Sequence, residues 1–407
     1  MWQHFRYRHW VQQGIQAFSM VFGAQVGVLL PTMYYFGSIS LLALPMNLLI
    51  IPIIAIVLPL LLLCTISAYI PFVNTVLFGI AKYSIQVLLY FLKLVPASIN
   101  LSFPMLSNVQ SMLLVIFLGL LLPGLVRTNK KNKGILLCVT VFAFALHSAL
   151  VHNPYPVYTQ LSVGRADCAV LEDGNSTVVI DTGETGYELV NFLKSKNKSI
   201  DALYISHFDL DHYGGVEALL KNKIAIKKVY IPYGALYAEN GEAAKACVEA
   251  LQLKGAVVEE VGKGISHTYN RTTIEVLFPY TRQNTLQRKS NDTSLAMLLN
   301  IMDNRLLTMG DLPSNYELYA AQNCDIIKIA HHGSYTSTSA AFLHLVQPEV
   351  ALISANGAEG FPHPDVVQNL QNENLQIYNT ANVGDIELCF KNKEYKVQFA
   401  WINEIFY

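Results

Sequence analysis

No aspartate or glutamate occurs in residues 1 to 150, so all 29 acids of the 407-residue chain lie beyond that point. Arg6, Arg8, Lys82, Lys93, Arg127, Lys130, Lys131 and Lys133 give this first part a charge of about +8. The other 20 of the 28 basic residues face 29 acids and leave the rest of the chain at about −9. A carboxylate-free, apolar stretch of that length needs a bilayer as its solvent. Apolar runs near 15–36, 39–66, 73–95, 109–126 and 134–151 each approach the roughly 20 residues of a membrane-spanning helix. The second run is too long for one straight helix and carries Pro45, Pro52 and Pro59, which predicts a broken or re-entrant segment. Lys82 within a span reads as a bundle-interior or snorkelling residue as readily as a transport residue. Five crossings place the basic clusters at 6–8 and 127–133 together in the cytoplasm. The fifth then delivers the second half to the outer face. A boundary near Asn153-Pro154 gives two domains, 1–152 and 153–407.

The second half is organised around Ser206-His207-Phe208-Asp209-Leu210-Asp211-His212-Tyr213-Gly214-Gly215, which sets two imidazoles and two carboxylates within six residues. Ala202-Leu203-Tyr204-Ile205 before it is apolar and β-prone, and a helical pattern starts at Val216. The ligating types therefore sit on a strand-to-helix loop that can serve two ions. Leu306-Leu307-Thr308-Met309-Gly310-Asp311 is a second apolar strand ending in a carboxylate, and Asp325 to Ala330 is a third, ending in His331-His332-Gly333-Ser334. Ala351 to Ser354 reads as the last strand of this kind, and its loop carries Phe361-Pro362-His363-Pro364. Strands are also predicted at 158–163, 168–171, 177–180, 226–231 and 256–261, with helices at 187–195, 216–221 and 240–254. This alternation fits an α/β layered fold. Asp181-Thr182-Gly183 closes one strand, where Asp181 reads as a helix cap or as a support for the ligand loop. The six cysteines form no C-x-x-C pair, so neither a zinc ribbon nor a redox centre is indicated.

The loop H-F-D-L-D-H-Y-G-G resembles the signature of the metallo-β-lactamase superfamily, H-x-H-x-D-H, with Asp209 in the place of the second histidine. Together with T-M-G-D and A-H-H-G-S downstream, it resembles the soluble domain of ComEC-type competence proteins, the bacterial DNA-internalisation channels. In the first half, Phe36-Gly37-Ser38-Ile39-Ser40-Leu41 and Pro45-Met46-Asn47-Leu48-Leu49-Ile50-Ile51-Pro52 are similar to the last part of that family's membrane domain. The resemblance implies an α-helical membrane domain followed by an αββα metallo-β-lactamase sandwich. It also implies that the chain corresponds to the carboxy-terminal portion of such a protein, with a separately encoded amino-terminal part as one possible partner.

What the resemblance implies for the site is a divalent centre of one or two ions, zinc or manganese with magnesium also possible, held by His207, Asp209, Asp211, His212, Asp311 and His331. Asp209 for an imidazole makes the ligand set harder and more anionic. Asp211, His332 and His363 are the expected catalytic groups, and Asp181, Asn291, Asp292, Ser294 and Ser334 the expected substrate or supporting contacts. Which of His331 and His332 binds metal is left open, with His331 favoured. No further superfamily histidine is found between 216 and 300, where His267 reads as solvent-facing. The implied activity is phosphodiester cleavage of single-stranded or incoming DNA, on the extracytoplasmic side of the bacterial inner membrane, beside other DNA-uptake components. Two other readings stay open: a metal-poor binding or structural domain of the same channel, and a membrane-tethered hydrolase of small molecules. The acidic balance of the second half argues against tight binding of nucleic acid through charge alone.

Overall fold

The computed structural model describes residues 11–12, 15–16, 18–25, 27–28, 32, 38–40, 42–93, 100–102, 108–121, 129–150, 154–280, 288–357 and 360–399. The basic residues Arg6, Arg8 and Arg127, and Arg282, lie outside them. The chain divides into two compact units close to residue 151.

In the first unit, a short antiparallel pair joins β1 (Ser38–Ser40) to β2 (Asn100–Ser102). Helical residues occur within 11–28, and among the described residues the later apolar runs form α1 (Ala43–Ile66), α2 (Pro71–Lys93), α3 (Asn108–Leu121) and α4 (Lys130–Leu150). Neighbours in sequence pack together, α1 along α2 and α3 along α4. Where the prolines predict a break, α1 runs continuously through Pro52 and Pro59. Pro45 falls in its first turn, where a missing N–H leaves nothing unsatisfied. Among the described residues one helix, Phe72–Tyr90, is long and apolar enough to cross a membrane, and Ile50–Ile66 and Val109–Leu121 are shorter apolar helices. Ile56, Leu58, Leu62, Phe72 and Phe78 are all exposed, an apolar exterior suited to lipid rather than water.

The second unit is an αββα sandwich. Its first sheet is built from β3 (Val157–Gln160), β4 (Ala169–Asp173), β5 (Ser176–Ile180), β6 (Ile200–Tyr204), β7 (Ile226–Pro232) and β8 (Val257–Val261). A C-terminal hairpin, β16 (Ile386–Lys391) and β17 (Glu394–Phe399), completes it by pairing with β3. The second sheet runs β15-β14-β13-β12-β11-β10-β9. In chain order these are Ser266–Tyr269, Thr272–Phe278, Ala296–Ile301, Asn304–Thr308, Ile326–Lys328, Val350–Ile353 and Gln376–Asn379. Within each sheet, antiparallel pairs give way to parallel ones, β5-β6-β7-β8 in the first and β12-β13-β14-β15 in the second.

Strands buried on both faces need apolar residues at successive positions, and β5 shows why. Val178 and Ile180 enter the core between the sheets with Tyr204, Met297, Leu299 and Leu306. Val179 points the other way, to Leu189, Leu193, Leu219 and Leu251 under the outer helices. On the far side, Leu307, Ile327 and Ile353 pack under Phe342, Leu343, Val366 and Leu370. His267, expected to face solvent, is half-buried: its Nδ1 lies 2.8 Å from the Tyr204 hydroxyl and its ring stacks on Tyr230.

Gly214 and Gly215 end the ligand loop where it crosses the segment 182–186. A Cβ on Gly215 would stand 2.3 Å from the Thr182 carbonyl oxygen and 2.7 Å from Gly186 Cα. Backbone on both sides leaves no flexible atom to yield. Gly215→Ala is expected to destabilise this unit by about 1–3 kcal/mol, seen as a fall of several degrees in the thermal midpoint of the detergent-solubilised chain.

Candidate metal centre

Parallel strands in a layered fold leave their carboxyl ends at one rim, where loops can converge. Here β5 delivers Asp181, β6 the loop 205–212, β12 Asp311, β13 the pair His331-His332, and β14 Ser354. A backbone bond from Leu295 N to Ser206 O (2.9 Å) and another from His331 N to Gly310 O (3.1 Å) tie these loops together.

At the centre stands the Asp311 carboxylate, only 2 % exposed. His212 Nε2 lies 3.2 Å from its Oδ1, while His331 Nε2 (3.6 Å), His207 Nε2 (3.9 Å) and His332 Nε2 (4.0 Å) face its Oδ2. Asp209 Oδ2 is 3.6 Å from His207 Nε2, and Asp211 Oδ2 is 3.1 Å from His332 Nε2. Each imidazole is held by its other nitrogen. His212 Nδ1 is 2.8 Å from Asp181 Oδ2, and His207 Nδ1 is 3.0 Å from Ser206 Oγ, whose hydroxyl donates to Asp181. His332 Nδ1 is 3.0 Å from the Ser354 carbonyl oxygen, and His331 Nδ1 3.2 Å from Thr336 Oγ1. For His207, His212 and His332 these partners favour Nδ1–H in the neutral ring, which leaves Nε2 free to bind a cation once it gives up its proton. Asp181, His331 and His332 all adopt positive φ, which is uncommon outside glycine and is tolerated where a site demands a particular aim.

The buried atoms His207 Nε2, His212 Nε2, Asp311 Oδ1 and Asp167 Oδ1 have no hydrogen-bond partner. Four buried polar atoms left unmatched at one rim are costly unless something else satisfies them. Imidazole Nε2 and carboxylate oxygen are the donor types of a divalent cation, so the residues fit such an ion. Nearest-approach geometry selects Asp167, His212, Asp311 and His332, all buried, with ligand atoms within 4.8 Å of one another.

Asp167 was not among the residues singled out as ligands. It is 5 % exposed and pairs with the Lys328 ammonium, itself 2 % exposed, in the strand that leads to His331. Its second oxygen stands 3.9 Å from His332 Nδ1. The sequence carries two hints: Asp167 matches the aspartate of a V-G-Q-G-D-like segment in the resembled family, and a lysine stands inside the otherwise apolar strand Ile326-Ile327-Lys328-Ile329, where a buried lysine needs a carboxylate.

The electrostatics follow from this crowding. Burial alone would raise the Asp311 and Asp211 carboxylates, but His212 and His332 outweigh it, leaving Asp311 well below the usual range and Asp211 at about 2. Burial would depress His212 and His332, yet the surrounding carboxylates hold both above an ordinary imidazole. For His331 burial wins and its pKa falls.

Other predicted residues lie around this core. Asn291 and Asp292 line a cleft of about 670 Å³ with Asp209, His331, Lys289 and Tyr335. Ser294 Oγ accepts from Asp311 N at 3.2 Å, and Ser334 Oγ lies 2.9 Å from Thr336 Oγ1. His363 caps the helix Pro364–Asn372, its Nδ1 accepting from Asp365 N at 3.3 Å, and its ring meets Tyr335 rather than the carboxylates. A second cleft of about 430 Å³ opens on the Asp211 side, lined by Arg165, Glu184 and Asn356.

Two protein families match the chain: the Competence protein family over residues 1–130 and the metallo-beta-lactamase superfamily over 161–357. ComE operon protein 3 of Bacillus subtilis is 26 % identical over 409 aligned positions, covering 91 % of this chain and 51 % of that protein. Recombination protein 2 of Haemophilus influenzae is 26 % identical over 74 % of this chain and 35 % of its own length. The chain thus spans about half or less of these relatives. Among solved structures, the metallo-beta-lactamase fold protein YhfI of Bacillus subtilis superposes with a TM-score of 0.37 at 13 % identity, covering 55 % of this chain and 96 % of YhfI.

Two outcomes are expected. Lys328→Met leaves the Asp167 carboxylate buried and unpaired and should destabilise the unit by about 3–5 kcal/mol, read in thermal unfolding; Lys328→Met with Asp167→Asn should recover much of the loss. Cation uptake requires His212 and His332 to give up protons that their raised pKa values favour keeping. Affinity should therefore rise with pH and fall as these imidazoles protonate, with proton release measured by titration calorimetry in buffers of different ionisation enthalpy.

Proposed function

The chain joins a competence-protein segment to a metallo-beta-lactamase domain as the ComEC-type competence proteins do, and from that premise we propose that it serves DNA uptake as a multi-pass membrane protein. Its second domain, on the outer face, is a divalent-metal phosphodiesterase that cleaves a DNA strand. The observation that carries the catalytic part of this reading is the convergence of unmatched Nε2 and carboxylate atoms on Asp311.

The ligands fall into two sets that share Asp311. His212, Asp211 and His332 form one, supported by the 3.1 Å approach of His332 Nε2 to Asp211. His207, Asp209 and His331 form the other, supported by the cleft that Asp209 and His331 both line. On this reading both histidines of the pair are ligands, and His331 stands in for the imidazole lacking between 216 and 300. Divalent ions held there supply Lewis acidity toward a phosphoryl oxygen and lower the pKa of water toward neutrality. The seven donors combine four imidazole nitrogens with three carboxylates, and the carboxylates favour manganese more than an all-histidine set would.

The protein's own part is positional. Asp181 and Ser206 lock His207 and His212, Ser354 locks His332, and Asn240 Nδ2 donates to Asp209 Oδ1 at 2.6 Å. A preset ligand shell of this kind spares reorganisation when charge develops on the phosphoryl group. Lys289 at one cleft and Arg165 at the other are placed to meet flanking phosphates.

The test is metal content and manganese-dependent cleavage of a single-stranded oligonucleotide by the full chain, compared with Asp311→Asn. Bound metal is expected in the wild type, with loss of metal and at least a roughly hundredfold loss of rate in the variant. Bound metal without DNA cleavage, but with turnover of small phosphodiesters, would move the assignment to a tethered small-molecule hydrolase. No metal and no turnover would leave a binding domain.

A further inference from the structure

Beside the ligand cluster lie further rings and one guanidinium that need not bind the cation. Tyr335 is 73 % exposed, yet its ring lies 5.6 Å from that of His363, tilted by 54°. Two residues before His363, Phe361 lies 6.4 Å from His331 and carries the Arg165 guanidinium over its ring at 5.5 Å. Tyr335 and His331 line the larger cleft beside Asp209, and Arg165 lines the smaller one beside Asp211.

Charge does little to hold a polyanion here. The larger cleft sets Asp209, Glu239 and Asp292 against Lys289, and the smaller sets Glu184 and Asp211 against Arg165. Phosphate neutralisation normally supplies most of the affinity for nucleic acid, and among the described residues the two clefts offer only Lys289 and Arg165 for it. Stacking is the remaining term that needs no charge, and every unpaired base offers a face to it. A duplex keeps those faces inside its own stack.

We infer that Tyr335, with His363 beside it, is a stacking platform for an unpaired base next to the scissile phosphodiester. The inference rests on the phosphodiesterase reading above and adds the residue that holds a base beside the cleaved bond. Tyr335 is a specificity residue.

The experiment uses the full chain with manganese and two oligonucleotides of equal length, one with its bases and one abasic throughout, for the wild type, Tyr335→Ala and Tyr335→Trp. On the base-bearing strand Tyr335→Ala should raise KM by about tenfold with kcat changed far less, and Tyr335→Trp should restore it. The wild type should handle the abasic strand as poorly as the alanine variant handles either. Equal effects of Tyr335→Ala on both strands, or none on either, would overturn the inference. If the wild type cleaves neither strand, the phosphodiesterase reading fails instead. The platform is then decided by fluorescence anisotropy with the same oligonucleotides, where the same contrast must appear in Kd.

Discussion

A buried carboxylate facing four imidazoles is the constraint from which the rest of this domain follows. Asp311 is almost wholly removed from water, and its Oδ1 has no hydrogen-bond donor aligned to it. An ion in that position is tolerated only where positive charge surrounds it closely. The approach of four rings within 4.0 Å supplies the means, as protonated imidazoles or as ligands to cations. The same crowding dictates the backbone. Gly310, at φ +52°, comes so near Ser206 and Ser294 that a Cβ would stand about 3 Å from each of theirs, and His331 and His332 turn through the left-handed region to aim both rings inward.

Two sheets are needed to hold such a group. One contributes Asp181 and the loop 205–212, the other Asp311, His331, His332 and Ser354. A single interlayer core locks them in register: Ile180 and Tyr204 pack against Met297, Leu299, Leu306 and Ile326. A side-chain shift in that core moves one half of the ligand set relative to the other. Packing at interior density thus acts on ligand distances as well as on stability.

Much of this was legible in the sequence because the elements that carry the ligands have strong local signatures. Ile200–Tyr204, Asn304–Thr308, Ile326–Lys328 and Val350–Ile353 are short apolar strands, each running into a polar loop, and the outer helices follow their periodicity. The C-terminal hairpin was harder to read. Ile386–Lys391 alternates buried and half-buried positions, but its place beside β3, more than 200 residues earlier, is a non-local pairing that no local pattern announces. The two tandem histidines could not be told apart beyond a preference for His331, since spacing alone does not say that positive φ at both would turn both rings to the same carboxylate. Asp167 was missed for a related reason: its partner Lys328 is 161 residues away, and their pairing exists only once β13 is buried.

The uneven charge of the chain gains a local meaning once the rim is seen. Six of the 29 acids, Asp167, Asp181, Asp209, Asp211, Asp292 and Asp311, lie in or beside the ligand shell, where a cation would sit. Bound divalent ions would cancel much of that charge, so the field met by an approaching phosphate depends on metal loading. Without cations the rim repels a polyanion; with them it becomes the most attractive point on an otherwise acidic surface. On the phosphodiesterase reading proposed above, a strand stacked on rings would be held by a term that ionic strength hardly screens, and the phosphate at the centre by one that depends on the bound ions. That separation would let a negatively charged domain engage one phosphodiester without retaining a long stretch of polyanion on its surface.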